Sequence, residues 1–310
     1  MKKALALILT ASLLTGVLTA CGSSEAQTDA AETTTEEAAA EETAAAEETA
    51  DTDAQAETGD LQVITVAATA VPHAEILEAA KPILAEQGYD LQVTVFDDYV
   101  QPNEVVEAGD IDCNYFQHIP YLNSYNEERG THLVSVGEIH YEPIGIYAGT
   151  ESDLSNIPDG ADIAIPNDTT NEARALLILQ DNGIITLKEG AGIDATINDI
   201  AENPHNINFV EMEAAQVSKV LSEVAFAVIN GNYALDAGLN AQTDALASET
   251  SDSLAAQTYV NVVVVKEGNE DNEGVKALVN VLKSDDIKKF IEETYEGAVV
   301  PFEGSSVAEN

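Results

Sequence analysis

The chain has 310 residues, of which 56 are acidic and only 12 are basic, and its formal net charge is −44. Such an acidic chain lacks the basic surface that attracts nucleic acid, so nucleic-acid partners are excluded. Its two cysteines, Cys21 and Cys113, cannot build a disulfide framework or a cysteine-based zinc site if Cys21 is modified as described next.

The first twenty residues have the pattern of a secretory signal peptide. Lys2 and Lys3 precede an apolar run at 4–17, which is too short to span a bilayer comfortably. Leu-Thr-Ala-Cys follows at 18–21 and resembles a lipobox, after which the signal is cleaved and Cys21 is acylated. We therefore predict a signal peptide at 1–20 and a lipid anchor that holds the protein on the extracytoplasmic face of a cell membrane. A plain signal peptide with a chance cysteine is the alternative.

Residues 21–60 are predicted to form an acidic, disordered tether that carries the lipidated Cys21. From residue 31 to 60 the sequence contains only Ala, Glu, Thr, Asp, Gln and one Gly. Such a segment cannot bury enough apolar surface to offset the entropy lost on ordering, and its like charges repel one another. A transient helix is the alternative, because Ala and Glu are good helix formers.

From residue 61 onwards, strand and helix patterns alternate. We predict strands at 61–70, 91–99, 111–117, 131–140, 143–149, 161–166, 207–213, 224–230 and 258–268. We predict helices at 73–88, 101–110, 121–130, 170–183, 195–204, 216–223 and 274–297. This alternation is typical of an α/β protein with open, mostly parallel sheets flanked by helices.

The alternation starts a second round after residue 150, which predicts two lobes of similar build. Lobe 1 is expected to comprise 61–145 and about 263–310, and lobe 2 is expected to comprise 146–262. The runs PIGIYAG and TYVNVVVV are candidate crossings between them. The binding site would then lie in the crevice between the lobes.

The strand ends supply the candidate binding residues, because ligands of open α/β sheets bind beyond the carboxyl ends of strands. In the first lobe these ends carry aromatic rings, namely Tyr99, Phe116 and His118. Aromatic rings make favourable contacts with thioethers, by about 0.3–1.5 kcal/mol. In the second lobe, Asn171 and Asn230 offer amides instead. This division predicts an apolar pocket that faces a polar clamp.

Arg174 is the most informative single residue of the second lobe. It lies near the start of the helix predicted at 170–183, where a positive charge opposes the helix dipole and is a poor choice for stability alone. A carboxylate held between this guanidinium and the helix N-terminus would gain from both. The alternative is an arginine paired with one of the chain's many acids.

The folded part resembles the methionine-binding NlpA lipoprotein family from about residue 62 to 300. The runs FQHIPYL, PNDTTNEARAL and VINGNYA are specific in combination, and the longer matches are VPHAEILEAAKPILAEQGYDLQVTVFDDYVQPNEVVEAGDIDCNYFQHIPYL, EPIGIYAG, IPNDTTNEARALLILQ, AFAVINGNYA and YVNVVVV. Cys113, where a small residue such as Ala is expected, and the long tether depart from the family pattern.

The resemblance implies a two-lobed protein of the type II periplasmic-binding class, without catalytic activity or a cofactor. Such a protein, expected to be monomeric, captures L-methionine or a close analogue and delivers it to the permease of an ABC importer. The resemblance also implies that Tyr99, Phe116 and His118 line the side-chain pocket. Asn171 and Arg174 would clamp the backbone of the amino acid, with Asn230 beside them.

Three other functions compete with this one. The ligand could be another amino acid or a short methionine peptide, because the backbone clamp would be shared. A metal-binding importer component is suggested by His140 and Glu142, which lie two residues apart and so on one face of a strand. A hydrolase would need Cys113 and His118 as nucleophile and base.

Overall fold

The computed structural model describes residues 61–251 and 253–304. The predicted signal peptide, Cys21 and the acidic tether lie outside these residues. Within them, no helix combines the length and the apolar character needed to cross a bilayer.

The described residues form thirteen strands and nine α-helices, together with short π- and 3-10-helical turns. The strands are β1 (Gln62–Ala68), β2 (Tyr89–Val95), β3 (Cys113–His118), β4 (Leu133–Tyr141), β5 (Gly145–Ala148), β6 (Asp162–Pro166), β7 (Thr186–Leu187), β8 (Ile200–Glu202), β9 (Asn208–Met212), β10 (Phe226–Ile229), β11 (Ala245–Ser248), β12 (Val260–Lys266) and β13 (Val300–Pro301). The helices are α1 (Glu75–Glu86), α2 (Gln101–Ala108), α3 (Ile119–Arg129), α4 (Thr169–Asp181), α5 (Ala214–Val217), α6 (Gly231–Asp236), α7 (Leu254–Thr258), α8 (Glu273–Leu282) and α9 (Asp285–Tyr295).

Two large sheets organise these elements. One has six strands in the order β13-β4-β12-β3-β1-β2, and the other has five in the order β11-β5-β10-β6-β9. The α/β class and the two-lobed build are therefore confirmed. The predicted lobe boundaries remain a proposal, supported by the way the chain leaves the first sheet after β4 and returns to it at β12.

Both sheets are mixed rather than mostly parallel. Strand β1 runs parallel to β2 and β3, and β6 runs parallel to β9 and β10. The remaining pairs in the two sheets, which involve β4, β5 and β11 to β13, are antiparallel. The reason is that β12 enters the first sheet from the second lobe. It is not joined to its neighbours by the strand–helix–strand crossover that makes adjacent strands parallel.

Each sheet has its own hydrophobic core. Strand β12 is the centre of the first, with Val262 to Val265 fully buried between β3 and β4. A strand covered on both faces reads as a continuous apolar run, which is why VNVVVV was recognisable. In the second sheet, Ile163 and Ile165 of β6 pack with Leu176 and Leu179 of α4.

Three helix predictions need correction. Residues 195–204 form a 3-10 turn at Ile197–Asp199 followed by β8, which pairs with β7. The long helix predicted at 274–297 is two helices: the first ends at Leu282, and the side chain of Ser284 caps the second by accepting from the N–H of Ile287. The segment predicted at 216–223 is instead α5 followed by a 3-10 turn at Ser218–Val220. The elements β7, β11, β13, α6 and α7 were not predicted.

Gly149, which follows β5, allows a close approach of three backbone carbonyls. A Cβ atom added there would lie 2.3 Å from the carbonyl oxygen of Val224 and 2.6 Å from that of Leu221. We expect Gly149→Ala to lower the free energy of unfolding by about 1–3 kcal/mol, since backbone must shift to admit the methyl group. Urea unfolding measures this. Gly192→Ala is the matched control, because the nearest atom to its added methyl is 3.9 Å away. Equal stability of the two variants would contradict the expectation.

Candidate functional site

A small cavity lies between residues carried by the two sheets. Its walls come from the end of β3, from segments that follow β2, β3, β4 and β10, and from the starts of α4 and β12. They are Tyr99, Phe116, Gln117, His118, Tyr121, Glu142, Asn171, Asn230, Gly231, Asn232 and Asn261. Five of the six predicted ligand residues, all but Arg174, are therefore brought together at one cavity.

One end of the cavity is aromatic. The ring of Tyr99 lies 5.8 Å from that of Phe116 and 5.6 Å from that of Tyr121, measured between ring centroids. The hydroxyl of Tyr121 donates to the backbone carbonyl of Tyr99 at 3.0 Å, and the hydroxyl of Tyr99 donates to Oδ1 of Asn232 at 2.5 Å. These hydrogen bonds satisfy the polar tips of the rings, so their apolar faces remain available to a ligand side chain.

The other end is polar, and Asp168 fixes its geometry. This residue caps α4: one carboxylate oxygen accepts from the backbone N–H of Asn171 at 3.1 Å and from its side-chain amide at 2.8 Å. Burial raises the pKa of Asp168 to about 6. At neutral pH the carboxylate only accepts hydrogen bonds, so Nδ2 of Asn171 is the atom that faces it.

The contact with Asp168 also fixes the orientation of the side-chain amides of Asn171 and Asn230. Because Nδ2 of Asn171 faces Asp168, its Oδ1 faces the cavity, where it accepts from Nδ2 of Asn230 at 2.7 Å. Oδ1 of Asn230 is left buried without a partner among the described residues. A buried carbonyl oxygen without a donor costs free energy. It therefore marks a position where a ligand donor would be stabilising.

His118 stands between the aromatic and polar ends as a neutral imidazole. Its Nε2 lies 3.1 Å from Oδ1 of Asn171, and its Nδ1 accepts from the backbone N–H of Tyr121 at 3.1 Å. Burial, reinforced by the nearby charge of Arg174, lowers the pKa of His118 to about 3. Nε2 therefore carries the proton and donates to Asn171.

Arg174 does not line the cavity. Its Nε and Nη2 atoms bind the carboxylate of Glu249 at 2.9 and 2.5 Å, and Nη2 also donates to the carbonyl oxygen of Glu142 at 2.8 Å. The guanidinium carbon lies 4.2 Å from the centroid of the Tyr259 ring. Arg174 is thus buried one layer behind the cavity wall and already holds a carboxylate.

A cluster of buried polar groups borders the cavity at Glu142. One carboxylate oxygen lies 2.7 Å from Nε2 of His140 and 3.3 Å from Nε2 of His73. The sequence spacing of His140 and Glu142 suggested this closeness, whereas nothing in the sequence placed His73 beside them. Burial lowers the pKa of His73 to about 4 and that of His140 to about 3, so both are neutral at pH 7.

Comparison with known proteins identifies the architecture. A sequence profile of the NlpA lipoprotein family matches residues 64–303. The chain belongs to the NlpA lipoprotein family. The methionine-binding lipoprotein MetQ of Bacillus subtilis is 41% identical to it over 250 residues, which are 79% of this chain and 90% of that protein.

Solved structures agree with the membership. The crystal structure of a putative lipoprotein from Ruminococcus gnavus is 67% identical, with a TM-score of 0.77, and the match covers 78% of this chain and all of that one. A nutrient-binding protein from Burkholderia cenocepacia bound to methionine is 42% identical, with a TM-score of 0.73, and the match covers 77% and 99% of the two chains.

Several cavity residues of this NlpA lipoprotein were not among the predicted site residues. They are Gln117, Tyr121, Glu142, Gly231, Asn232 and Asn261. Some signals were present: Gln117 and Asn232 lie at strand ends, and Asn261 interrupts an otherwise apolar run. Glu142 was considered only as a metal ligand.

Cys113 and His118 do not form a nucleophile–base pair. They lie at opposite ends of β3, roughly 16 Å apart at the rise of an extended strand. Burial raises the pKa of the Cys113 thiol far above its ordinary value, and its Sγ contacts the carbonyl oxygen of Thr65 at 3.7 Å. The thiol is therefore part of the core of this NlpA lipoprotein.

We expect the folded protein to lose stability as the pH falls from 6.5 to about 4. In that range His73, His118 and His140 take up protons only in the unfolded state, because their folded pKa values are lowered. Each contributes a slope of about 1.4 kcal/mol per pH unit. Asp168 and Glu142, whose pKa values are raised, oppose part of this loss.

Urea unfolding at several pH values between 7.5 and 4 tests the expectation. His73→Gln should reduce the slope, since one buried neutral imidazole is removed. His132→Gln, at an exposed position, is the control for replacing a histidine outside the buried set. A stability that stays constant or rises as the pH falls would contradict the neutral state of the buried histidines.

Proposed function

We propose that this protein captures methionine, or a close analogue, between its lobes and delivers it to the permease of an ABC importer. The observation that carries the proposal is the cavity itself, with aromatic rings at one end and unsatisfied amide chemistry at the other. That combination suits a zwitterion with a flexible thioether side chain. The printed names of its relatives support the same ligand.

The proposed roles follow from position in the cavity. Tyr99 and Phe116 would contact the side chain of the ligand, and His118 would close the pocket above it. Asn171 and Asn230 would orient its backbone, since their amides are fixed by Asp168. Anchoring through an acylated Cys21 would keep the monomeric protein at the extracytoplasmic face of the membrane.

We propose that Arg174 affects ligand binding from behind the residues that line the cavity. Burial and the charge of Arg174 together lower the pKa of His118. The same charge partly offsets the rise that burial causes in the pKa of Glu142, and Nη2 of Arg174 donates to the backbone carbonyl of Glu142. Direct contact with the ligand carboxylate would require the guanidinium to be shared with Glu249. Whether Arg174 acts indirectly or contacts the ligand carboxylate, the affinity for methionine depends on it in this proposal.

Closure of the lobes would couple binding to delivery. Contacts that tie the second lobe to the strand ends of the first include those of Nε2 of His118 to Asn171, the hydroxyl of Tyr99 to Asn232, and the hydroxyl of Tyr233 to the carbonyl of Asp97. A ligand favours the closed form only by binding it better than the open form. Binding rather than catalysis is supported by the inert Cys113 and by the substrate-binding relatives.

Calorimetric titration tests the ligand. After unfolding and refolding to remove any bound ligand, the protein is titrated with L-methionine, D-methionine, other amino acids and a methionine dipeptide. We expect one-to-one binding of methionine. Binding of a dipeptide or another amino acid would keep the transport function and replace the ligand. No heat with any of them would contradict the function.

Arg174→Ala should weaken methionine binding by roughly 30-fold or more, because a buried charged group would lose its partner. Arg174→Lys is the matched variant that keeps the charge but not the planar fork. Glu249→Gln, which removes the carboxylate that Arg174 holds, reports the structural part of the loss. Wild-type affinity in Arg174→Ala would contradict the proposed role.

Phe116→Ala should weaken methionine binding and broaden side-chain preference, since truncating a buried aromatic enlarges the pocket at its apolar end. Titration of methionine, norleucine and leucine into the variant measures the change. Phe209→Ala, in β9 and away from the cavity lining, is the control for loss of an aromatic ring. An unchanged preference order in Phe116→Ala would argue against the aromatic wall.

A further inference from the structure

The side chain of Tyr99 is held in place by both lobes. Tyr99 follows β2 in the first lobe, and it packs against the hydrophobic cluster that contains Phe116 and Tyr121. It also packs against the cluster of the second lobe that contains Tyr233. The Tyr99 and Tyr233 rings lie 5.0 Å apart between centroids, with their planes inclined by 31°. Aromatic pairs at this separation attract each other, so the position of the Tyr99 ring depends on a ring that the second lobe supplies.

Two reciprocal hydrogen bonds join the same two segments. The hydroxyl of Tyr99 donates to Oδ1 of Asn232 at 2.5 Å, and the hydroxyl of Tyr233 donates to the backbone carbonyl of Asp97 at 3.1 Å. Burial raises the pKa of both hydroxyls, so both are protonated donors at neutral pH. Residues 97–99 and 232–233 thus form a clasp, in which each segment donates one tyrosine hydroxyl to the other.

The ring of Tyr99 also helps to separate two cavities. Tyr99 and Tyr121 line the small cavity between the sheets, and both also line a second cavity of about 300 Å³. These two shared side chains form the partition between the cavities. Tyr233 borders the second cavity but not the first. It therefore supports the partition without lining the proposed ligand cavity.

The two shared tyrosines differ in what holds them. Tyr121 belongs to α3, and its hydroxyl donates to the backbone carbonyl of Tyr99 within the first lobe. Tyr99 lies between β2 and α2, outside regular structure, and the clasp fixes its ring. A side chain that loses such neighbours can turn to another staggered rotamer. Tyr99 is consequently the part of the partition that depends on the second lobe.

We propose that Tyr233 is a positioning residue that limits the length of the ligand side chain. By stacking on Tyr99 it keeps the aromatic end of the ligand cavity closed, so a side chain longer than that of methionine meets a fixed ring. Loss of the Tyr233 ring leaves Tyr99 free to turn, and the second cavity then becomes available to a longer side chain. This inference rests on the proposed function, because it concerns the side-chain end of the same cavity.

The test uses L-methionine, L-ethionine and S-butyl-L-homocysteine, which differ only in the length of the alkyl group on sulfur. Calorimetric titration of the full-length wild type should show weaker binding as this group lengthens, by about 10-fold for the first added methylene. Tyr233→Ala should reduce the preference for methionine over S-butylhomocysteine at least about 10-fold. A merely structural loss would weaken the binding of all three ligands alike and leave that preference unchanged.

Two further variants separate the ring of Tyr233 from its hydrogen bond and from the general loss of a tyrosine. Tyr233→Phe keeps the stacked ring and removes the donor to Asp97, so it should retain the wild-type preference while its affinity for all three ligands falls together. Tyr89→Ala removes a half-buried tyrosine at the opposite end of β2 from Tyr99, and it should also retain the preference.

Failure of this inference is distinguishable from failure of the function on which it rests. An unchanged preference, or the loss of all three ligands, in a folded Tyr233→Ala variant would overturn the inference and leave methionine capture by the wild type standing. Equal affinity of the wild type for methionine and S-butylhomocysteine would also overturn it. If thermal unfolding shows that Tyr233→Ala does not fold, Tyr233→Leu takes its place, since leucine keeps apolar bulk without a flat ring. Failure of the wild type to bind methionine or any other amino acid would overturn both.

Discussion

A single acceptor-only carboxylate sets the hydrogen-bond directions on which the site depends. Asp168 caps α4 and forces the amide of Asn171 to donate towards it, which turns the carbonyl of Asn171 towards His118 and Asn230. The side-chain amides of Asn171 and Asn230 then each have only one orientation in which no donor faces another donor. The result is a hydrogen-bonded polar end whose last oxygen, on Asn230, has no partner within the part of the chain that the structure describes. Preorganised groups of this kind lower the ordering cost of ligand binding.

The charged and titratable groups around the cavity are also held by specific partners. Arg174, Glu249 and Glu142 are all largely withdrawn from solvent, and the guanidinium makes its ion pair with Glu249. The histidines that contact Glu142 are neutral because burial favours the uncharged imidazole. The polar end of the cavity is consequently richer in acceptors than in cations.

The fold makes this arrangement possible by supplying the groups from two separate sheets. In the first sheet, Phe116 and His118 lie at the end of β3 and Tyr99 follows β2, whereas Asn171 and Asn230 follow strands of the second sheet. Hydrogen bonds between the two sets, such as the one from His118 to Asn171, exist only while the lobes are together. Affinity and closure are therefore properties of the same contacts. Separation of the lobes would break the site itself as well as open a path to it.

Local pattern by itself determined nine of the thirteen strands, helices α1 to α4, the α/β class and five of the six residues that could line a cavity, because strand ends and helix starts are encoded by neighbouring residues. Tertiary structure alone decided which carboxylate Arg174 would meet, since Glu249 lies 75 residues away in sequence. It also decided that His73 would join His140 and Glu142, and that β12 would enter the first sheet antiparallel. These contacts depend on how distant segments pack, and no short-range periodicity records that packing.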